Sequence, residues 1–298
     1  MNSTWYNVAV VLLWLATMSW LISQKVMPSL LVGEAPSYRT IVEARQEEPT
    51  GGWWMLWNDR RIGWAVDKTS VLPNEMTEVR SLVHFDELPL EEMIPKPLLQ
   101  LLLQGDGSNL RLRIEAKSRL IFDPLKRLSQ FESSVGLEGM DDAVKVRGTL
   151  DGSELRVSVH SGEFTYETDT VLPGEALLSD ALSPQSKLPG LRDGQSWNVE
   201  VFSPLRPRND PVEVLQATVE GTEHVEWGTQ VVEAWLVVYR TDPGAGAASA
   251  RVPRGRLWVR EDGTVLKQEA NLFDSTITFV RLPQKRAAAL IESVGDWK

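Results

Sequence analysis

The chain has 298 residues, no cysteine, and 41 Asp and Glu against 31 Lys and Arg, a formal charge of −10. The missing thiol excludes disulfides, thiolate zinc sites, iron–sulfur clusters and cysteine nucleophiles, and the acidic balance supplies no basic face for nucleic acid. With 42% apolar and 24% charged residues the composition is that of a folded domain.

The first charged side chain is Lys25, and Trp5 to Ile22 reads WYNVAVVLLWLATMSWLI. Twenty-four uncharged positions would make a helix of about 36 Å at 1.5 Å per residue, enough to cross a hydrocarbon core of about 30 Å. A single-pass transmembrane helix is therefore expected over 5–23. Leu12, Leu13, Trp14, Leu15, Leu21 and Ile22 belong to its apolar body, and Trp5, Tyr6 and Trp20 place amphipathic rings at its two ends. The rival reading is a cleaved signal, which needs a positive start, an apolar run of about 7–15 residues and a small-x-small cut site. No Lys or Arg precedes this run, the run is longer, and the nearest cut, Gly33-Glu34-Ala35, is followed by Pro36. An uncleaved signal anchor is the expectation. Lys25 and Arg39 follow the helix and would keep the body cytoplasmic by charge bias alone, but large domains cross largely regardless of so few charges.

Residues 24–50 read as a tether, with Pro28, Gly33, Pro36 and a polar run from Glu43 to Pro49 breaking any apolar period. From Gly51-Gly52 strands dominate. GGWWMLWNDRRIGWAVDKTSV reads as a hairpin turning at Asn58-Asp59, and alternating segments continue to STITFVRLP. Turns are marked by Asp151-Gly152, Ser161-Gly162, Asp193-Gly194, Glu220-Gly221 and Asp262-Gly263. Two stretches interrupt the pattern. Leu90 to Gln104 predicts a leucine-dense helix opened by Pro97 and ended by Gly105, and Pro173 to Leu182 predicts a shorter one. Residues 285–298 form a tail in which AAALIESV predicts a terminal turn or helix. The fold class is mainly β: a large curved antiparallel sheet, a half-barrel over 51–284, with one or two packed helices. It reads as one domain or as two half-sheets, 51–172 and 190–284.

Catalytic patterns are wanting. His84, His160 and His224 lie in separate strands at no metal-ligand spacing, and no G-x-S-x-G elbow occurs. Gly244 to Ser249 reads as a hairpin loop, since a strand and not a crossover helix follows it. The pairs Glu91-Glu92 and Asp141-Asp142 are sequence neighbours and point apart in regular structure. No catalytic residue, metal ligand or cofactor is named by these patterns. The tryptophans say more. At a period of two, Trp53 and Trp57 share one face of a strand and Trp54 takes the other, with Trp64 in the partner strand. They are either core residues of a curved sheet or, with Leu98 and Leu102, the wall of an apolar ligand surface.

The second half, from LPGLRDGQSWNVEVFSPL through VVEAWLVVYR to RLWVREDGTVLKQE, resembles the lipoprotein-carrier (LolA-like) superfamily and related envelope domains whose strands end in W-x-x-x-D-G-x-x-L. The first half is similar to the amino-terminal β domain of membrane-anchored transglutaminase-like proteins, planctomycete ones especially. Trp57, Arg61, Ile62, Gly63 and Trp64 occupy the places of their opening hairpin, with Trp64 where tyrosine is usual. The likeness spans about Gly51 to Leu282 and consists of hairpin patterns, not catalytic residues. It implies a half-barrel wrapped around a helix or two, located in the bacterial cell envelope with the body periplasmic and the concave face sheltering acyl chains. Transglutaminase activity is excluded, since its nucleophile is cysteine. The function expected is that of a non-enzymatic protein of the inner membrane binding a lipid, a lipoprotein or another hydrophobic ligand. The alternative is a structural module scaffolding an envelope complex through exposed sheet edges, with a protein partner. An apolar concave cavity of roughly 300–1,000 Å³ would favour carriage, and an empty or helix-plugged face would argue against it.

Overall fold

The computed structural model describes residues 3–22, 36–48, 50–86, 113–171, 177–178, 183–202, 212–241, 253–272 and 275–295. Three helices lie among them: α1 (Ser3–Leu21), α2 (Tyr38–Glu47) and α3 (Gln284–Val294). The remainder is dominated by strands. The first wing holds β1 (Thr50–Trp57), β2 (Arg60–Val71), β3 (Thr77–Phe85), β4 (Ile114–Phe122), β5 (Leu128–Leu137), β6 (Met140–Asp151), β7 (Glu154–Ser161) and β8 (Phe164–Val171). The second holds β9 (Leu177–Leu178), β10 (Ser196–Phe202), β11 (Val212–Trp227), β12 (Gln230–Thr241), β13 (Gly255–Val259), β14 (Val265–Leu272) and β15 (Ser275–Arg281). Both wings belong to one 15-stranded sheet ordered β8-β7-β6-β5-β4-β3-β2-β1-β15-β14-β13-β12-β11-β10-β9. Neighbours are antiparallel except β9, which runs parallel to β10. The two halves of the sequence are joined at the centre by β1 against β15, with Trp53 opposite Arg281 and Trp57 opposite Ile277.

Connectivity forces this sheet to roll. Fifteen strands laid flat at about 4.8 Å spacing would be roughly 67 Å wide. Yet the chain passes from Val171, ending the strand at one edge, to Leu177, opening the strand at the other. Six peptide steps reach at most about 23 Å. The edges are therefore brought close, and the wall is barrel-like with a seam between β8 and β9.

Local chemistry sets the details. Asn58 (φ 47°) and Asp59 (φ 65°) make the tight β1–β2 turn read from the sequence. Glu220-Gly221 is not a turn: β11 runs on to Trp227, and the pairing with β12 shifts register between Val219 and Thr222, with Gly221 at φ 116° absorbing the bulge. A second shift, opposite Met55 and Leu56, adds Ile62 to β2, and Ile62 joins the inner core. The short helix expected over Pro173–Leu182 is corrected, because Leu177–Leu178 form β9. The leucine-dense helix expected over 90–104 lies outside the described residues. The stretch read as a tether contains α2, N-capped by Ser37 Oγ accepting from Thr40 N. Among its described side chains Ile41 and Val42 are buried. The carboxyl-terminal stretch forms α3, whose Ala287 packs on Gly52 where a Cβ would stand 3.0 Å away.

Alternation sorts the core into layers. The inner face carries Trp53, Met55, Trp57, Ala65, Val83, Leu257 and Phe279, continuous across both wings. A second inner cluster joins Val79, Phe122, Phe131, Leu155 and Val157 to Phe202 of the far wing. A third holds Ala234, Trp258 and Leu266, covered by the tip of the β11–β12 hairpin, where Trp227 Nε1 donates to Arg281 O at 2.9 Å. Among the described residues no helix is long and apolar enough to cross a membrane. Helix α1 has 19 residues, about 28 Å, shorter than the uncharged sequence allowed.

Candidate functional site: the occupied interior of the sheet

The inner wall is apolar with one buried carboxylate. Asp67, on β2 and 3% exposed, accepts from Trp53 Nε1 at 3.0 Å and from Ser186 Oγ at 3.1 Å. Gly51 stands opposite it because a Cβ there would lie 2.3 Å from Asp67 Oδ1. Among the described residues two pieces of chain fill the space in front of this wall. The first is the extended segment 183–188. Ser183 bonds the hydroxyl of Ser81, which also meets Ser118 Oγ at 2.7 Å. Gln185 N donates to Gln268 Oε1 at 2.9 Å and Arg281 Nη1 to Ser186 O at 3.3 Å. Backbone bonds fix the segment: Val265 N to Ser186 O at 3.1 Å and Leu188 N to Gly263 O at 2.7 Å.

The second piece is α2. Ile41 enters the cluster of Trp53 and Phe279, and Val42 enters that of Val79, Phe122 and Phe202. Gln46 Nε2 donates to Thr77 Oγ1 at 2.8 Å. At the end of the helix Glu48 takes two cations, Lys187 Nζ at 2.9 Å and Arg281 Nη2 at 3.1 Å, whose side chains are 6% and 3% exposed. Burial by itself would raise the Glu48 pKa. The charge of Arg281 and the hydrogen bonds from Lys187 and Arg281 outweigh it and hold the carboxyl below its usual range. Lys187 Nζ also donates to Thr264 Oγ1 at 2.8 Å. Thr69 Oγ1 is buried with no hydrogen-bond partner among the described residues.

The four hairpin tryptophans divide two and two. Trp53 and Trp57 are inside, 0% and 2% exposed. Trp54 and Trp64 are cross-strand partners on the outer face and half-buried. There Arg61 lies 3.4 Å over the Trp54 ring, and Trp64 stacks on His84 at 5.2 Å. They do not form one surface with each other. Leu98 and Leu102 lie outside the described residues.

The interior therefore holds α2 and segment 183–188, a helix-plugged face of the kind expected to argue against carriage. A cavity of about 230 Å³ lies on the outer face instead, lined by His84, Glu115, Lys117, Ser134 and Asp142. Its lining mixes Ile114 and Leu137 with charged groups, Lys117 Nζ lying 3.1 Å from Glu115. Among the described residues no group of three His, Cys, Asp or Glu is placed to hold a metal ion. Sequence reading missed Asp67, Glu48, Lys187 and Arg281. One signal was present: Asp67 falls at an inward position of an otherwise apolar alternation.

No protein-family model matches the chain, and no curated protein matches it. Among solved structures it is similar to a β-barrel-like protein of the domain of unknown function DUF1849 from Brucella abortus. That likeness has 13% identity over 78% of this chain and 95% of that one, with a TM-score of 0.47. It is also similar to a DUF1089 family protein from Pseudomonas aeruginosa, with 17% identity over 68% of this chain and 87% of that one and a TM-score of 0.32. Likenesses this distant say nothing of what the chain binds.

Proposed function

We propose that this protein is a membrane-anchored binding module of the bacterial cell envelope whose barrel-like interior receives the apolar chain of a lipid or lipoprotein. A helix in the interior counts against an open carrier, and the observation that carries the reading is instead the width of the apolar wall, which its own side chains do not fill. Eight strands close a barrel that wall side chains just fill, whereas this wall has fifteen strands and takes in α2 and segment 183–188. The LolA-like cadence of the second half agrees with this reading.

Helix α1 supports the anchor. It is uncharged, and Val10, Leu12, Leu13, Trp14, Leu15, Leu21 and Ile22 stand exposed around it. Thr17 returns its hydroxyl to Leu13 O and Trp14 O at 2.9 Å, so it needs no water. The body then lies beyond the inner membrane, in the periplasm. With no native thiol, a single cysteine engineered at Gly152 in the β6–β7 turn reports this directly. It should react with an impermeant reagent once the outer barrier is opened, and labelling only after lysis would place the body in the cytoplasm.

Ligand binding is tested on the full-length protein in mild detergent. Co-purified acyl lipid by mass spectrometry, or displaceable binding of a fluorescent fatty acid, is the expected result. Neither being found contradicts the reading.

A second reading, a scaffold that adds a partner's strand, is favoured by β8. It is an edge strand of eight residues with no Lys, no Pro and no register shift, and its Phe164 and Val171 are 62% and 68% exposed. Cross-linking in membranes from a cysteine at Thr168 should then trap one partner reproducibly. A chain that stays unlinked counts against the scaffold.

A further inference from the structure

We infer that α2 is a stand-in for the ligand, and that the ligand is an anionic amphiphile whose headgroup replaces the Glu48 carboxylate on Arg281 and Lys187. The inference rests on the ligand-binding reading and adds to it the headgroup chemistry and the means of opening.

The two interior pieces differ in how they are held. Segment 183–188 is tied by backbone bonds to residues 263–265 and belongs to the wall. Helix α2 is held through side chains that include Ile41 and Val42 by burial, Gln46 on Thr77, and Glu48 on Lys187 and Arg281. Arg39, Thr40, Glu43 and Glu47 face solvent. A helix of ten residues has little stability of its own in water, so α2 exists where it is docked and can leave as a unit.

Its departure would leave a site with two chemistries. One end would present the apolar walls that Ile41 and Val42 cover. The other would present a guanidinium and an ammonium, each almost wholly buried and stripped of their carboxylate. Buried cations without a counter-charge are strongly unfavourable, so whatever displaces α2 must bring an anion to this end. Ile41 precedes Glu48 by seven residues, about 10 Å along a helix. A carboxylate or phosphate on an acyl chain matches both the charge and the direction. A neutral lipid matches only half.

The test uses the full-length protein in detergent and two probes, a fluorescent fatty acid and its methyl ester. Wild type should bind the acid weakly, since closed α2 lowers apparent affinity by the fraction open. Glu48→Gln should bind the acid at least about tenfold more tightly, with ester affinity rising less. Glu48→Gln combined with Lys187→Gln, which leaves Arg281 as the one cation of the pair, should show a weaker preference for acid over ester than Glu48→Gln alone. Should Glu48→Gln fail to fold by circular dichroism, Glu48→Asp, with its shorter reach, replaces it with the same ordering expected. Acid and ester binding equally in every variant overturns the headgroup assignment and leaves the apolar reading standing. Wild type binding the acid as tightly as the Glu48 variant overturns displacement of α2 and likewise spares that reading. Neither probe binding any folded variant overturns the ligand reading itself, and this inference with it.

Discussion

Two carboxylates set the character of the interior, and they are held in different ways. Asp67 is built into the wall, where its oxygens take the Trp53 indole and the Ser186 hydroxyl. Trp53→Phe removes one donor from a buried acceptor and should destabilise the fold by about 1–3 kcal/mol. Arg61→Ala, on the outer face against Trp54, should cost only about 0.5–1 kcal/mol. Urea unfolding of the two variants makes the comparison. Glu48 is held by ion pairs instead, and its pKa is depressed by Arg281 and Lys187 against the effect of burial. A depressed folded-state pKa stabilises above the unfolded value, about 4.3 for Glu, and the gain is lost as pH falls through the folded pKa. The stability gap between wild type and Glu48→Gln should thus be widest near neutrality and shrink in acid below about pH 4. A gap that does not depend on pH would mean that Glu48 is not paired in solution. The inward and outward tryptophans were legible from alternation alone. Glu48 was not, because its partners Lys187 and Arg281 are 139 and 233 residues away in sequence, and nothing local marks such a pair.

Among the elements, most strands follow from period-two alternation and their turns from Asn, Asp and Gly. The exceptions have physical causes. Gly221 looks like a hairpin turn, but β12 is long enough to pair on both sides of it, so tertiary pairing converts it to a bulge. Leu177 and Leu178 read as helix in isolation and became strand because β10 offers them an edge. Helix α2 escaped notice because Ile41 and Val42 stand in a short, mostly polar stretch between Pro36 and Pro49 that reads as a tether. The close approach of β2 to β3 has its own signature in Gly63, where a Cβ would stand 2.0 Å from His84 O. Gly63→Ala must spread that pair at backbone level and should cost at least about 2 kcal/mol. Gly152→Ala, in an open turn with no atom near its missing Cβ but φ at 63°, should cost about 1 kcal/mol from backbone strain alone. Thermal unfolding of the two variants, measured together, separates crowding from conformation. Equal losses would contradict the assigned β2–β3 spacing.

For the whole molecule, the wide rolled sheet and its inserted occupants belong together. Composition and strand count pointed to a large β domain, but not to a single sheet that brings β1 against β15 and returns its edges to within one short connection. That arrangement depends on pairing between the two ends of the chain, which no local pattern encodes. It also explains why the candidate surface read from the tryptophans divided: one set lines the interior and the other lies outside. We propose that the interior is a ligand site that α2 fills. Hydrogen exchange of the full-length protein, with and without saturating fatty acid, tests it most directly. The claim predicts that amides of Ile41 to Glu47 lose protection when the fatty acid binds, while those of β1 and β15 keep theirs. Protection of α2 that stays unchanged or rises with the fatty acid bound would contradict it.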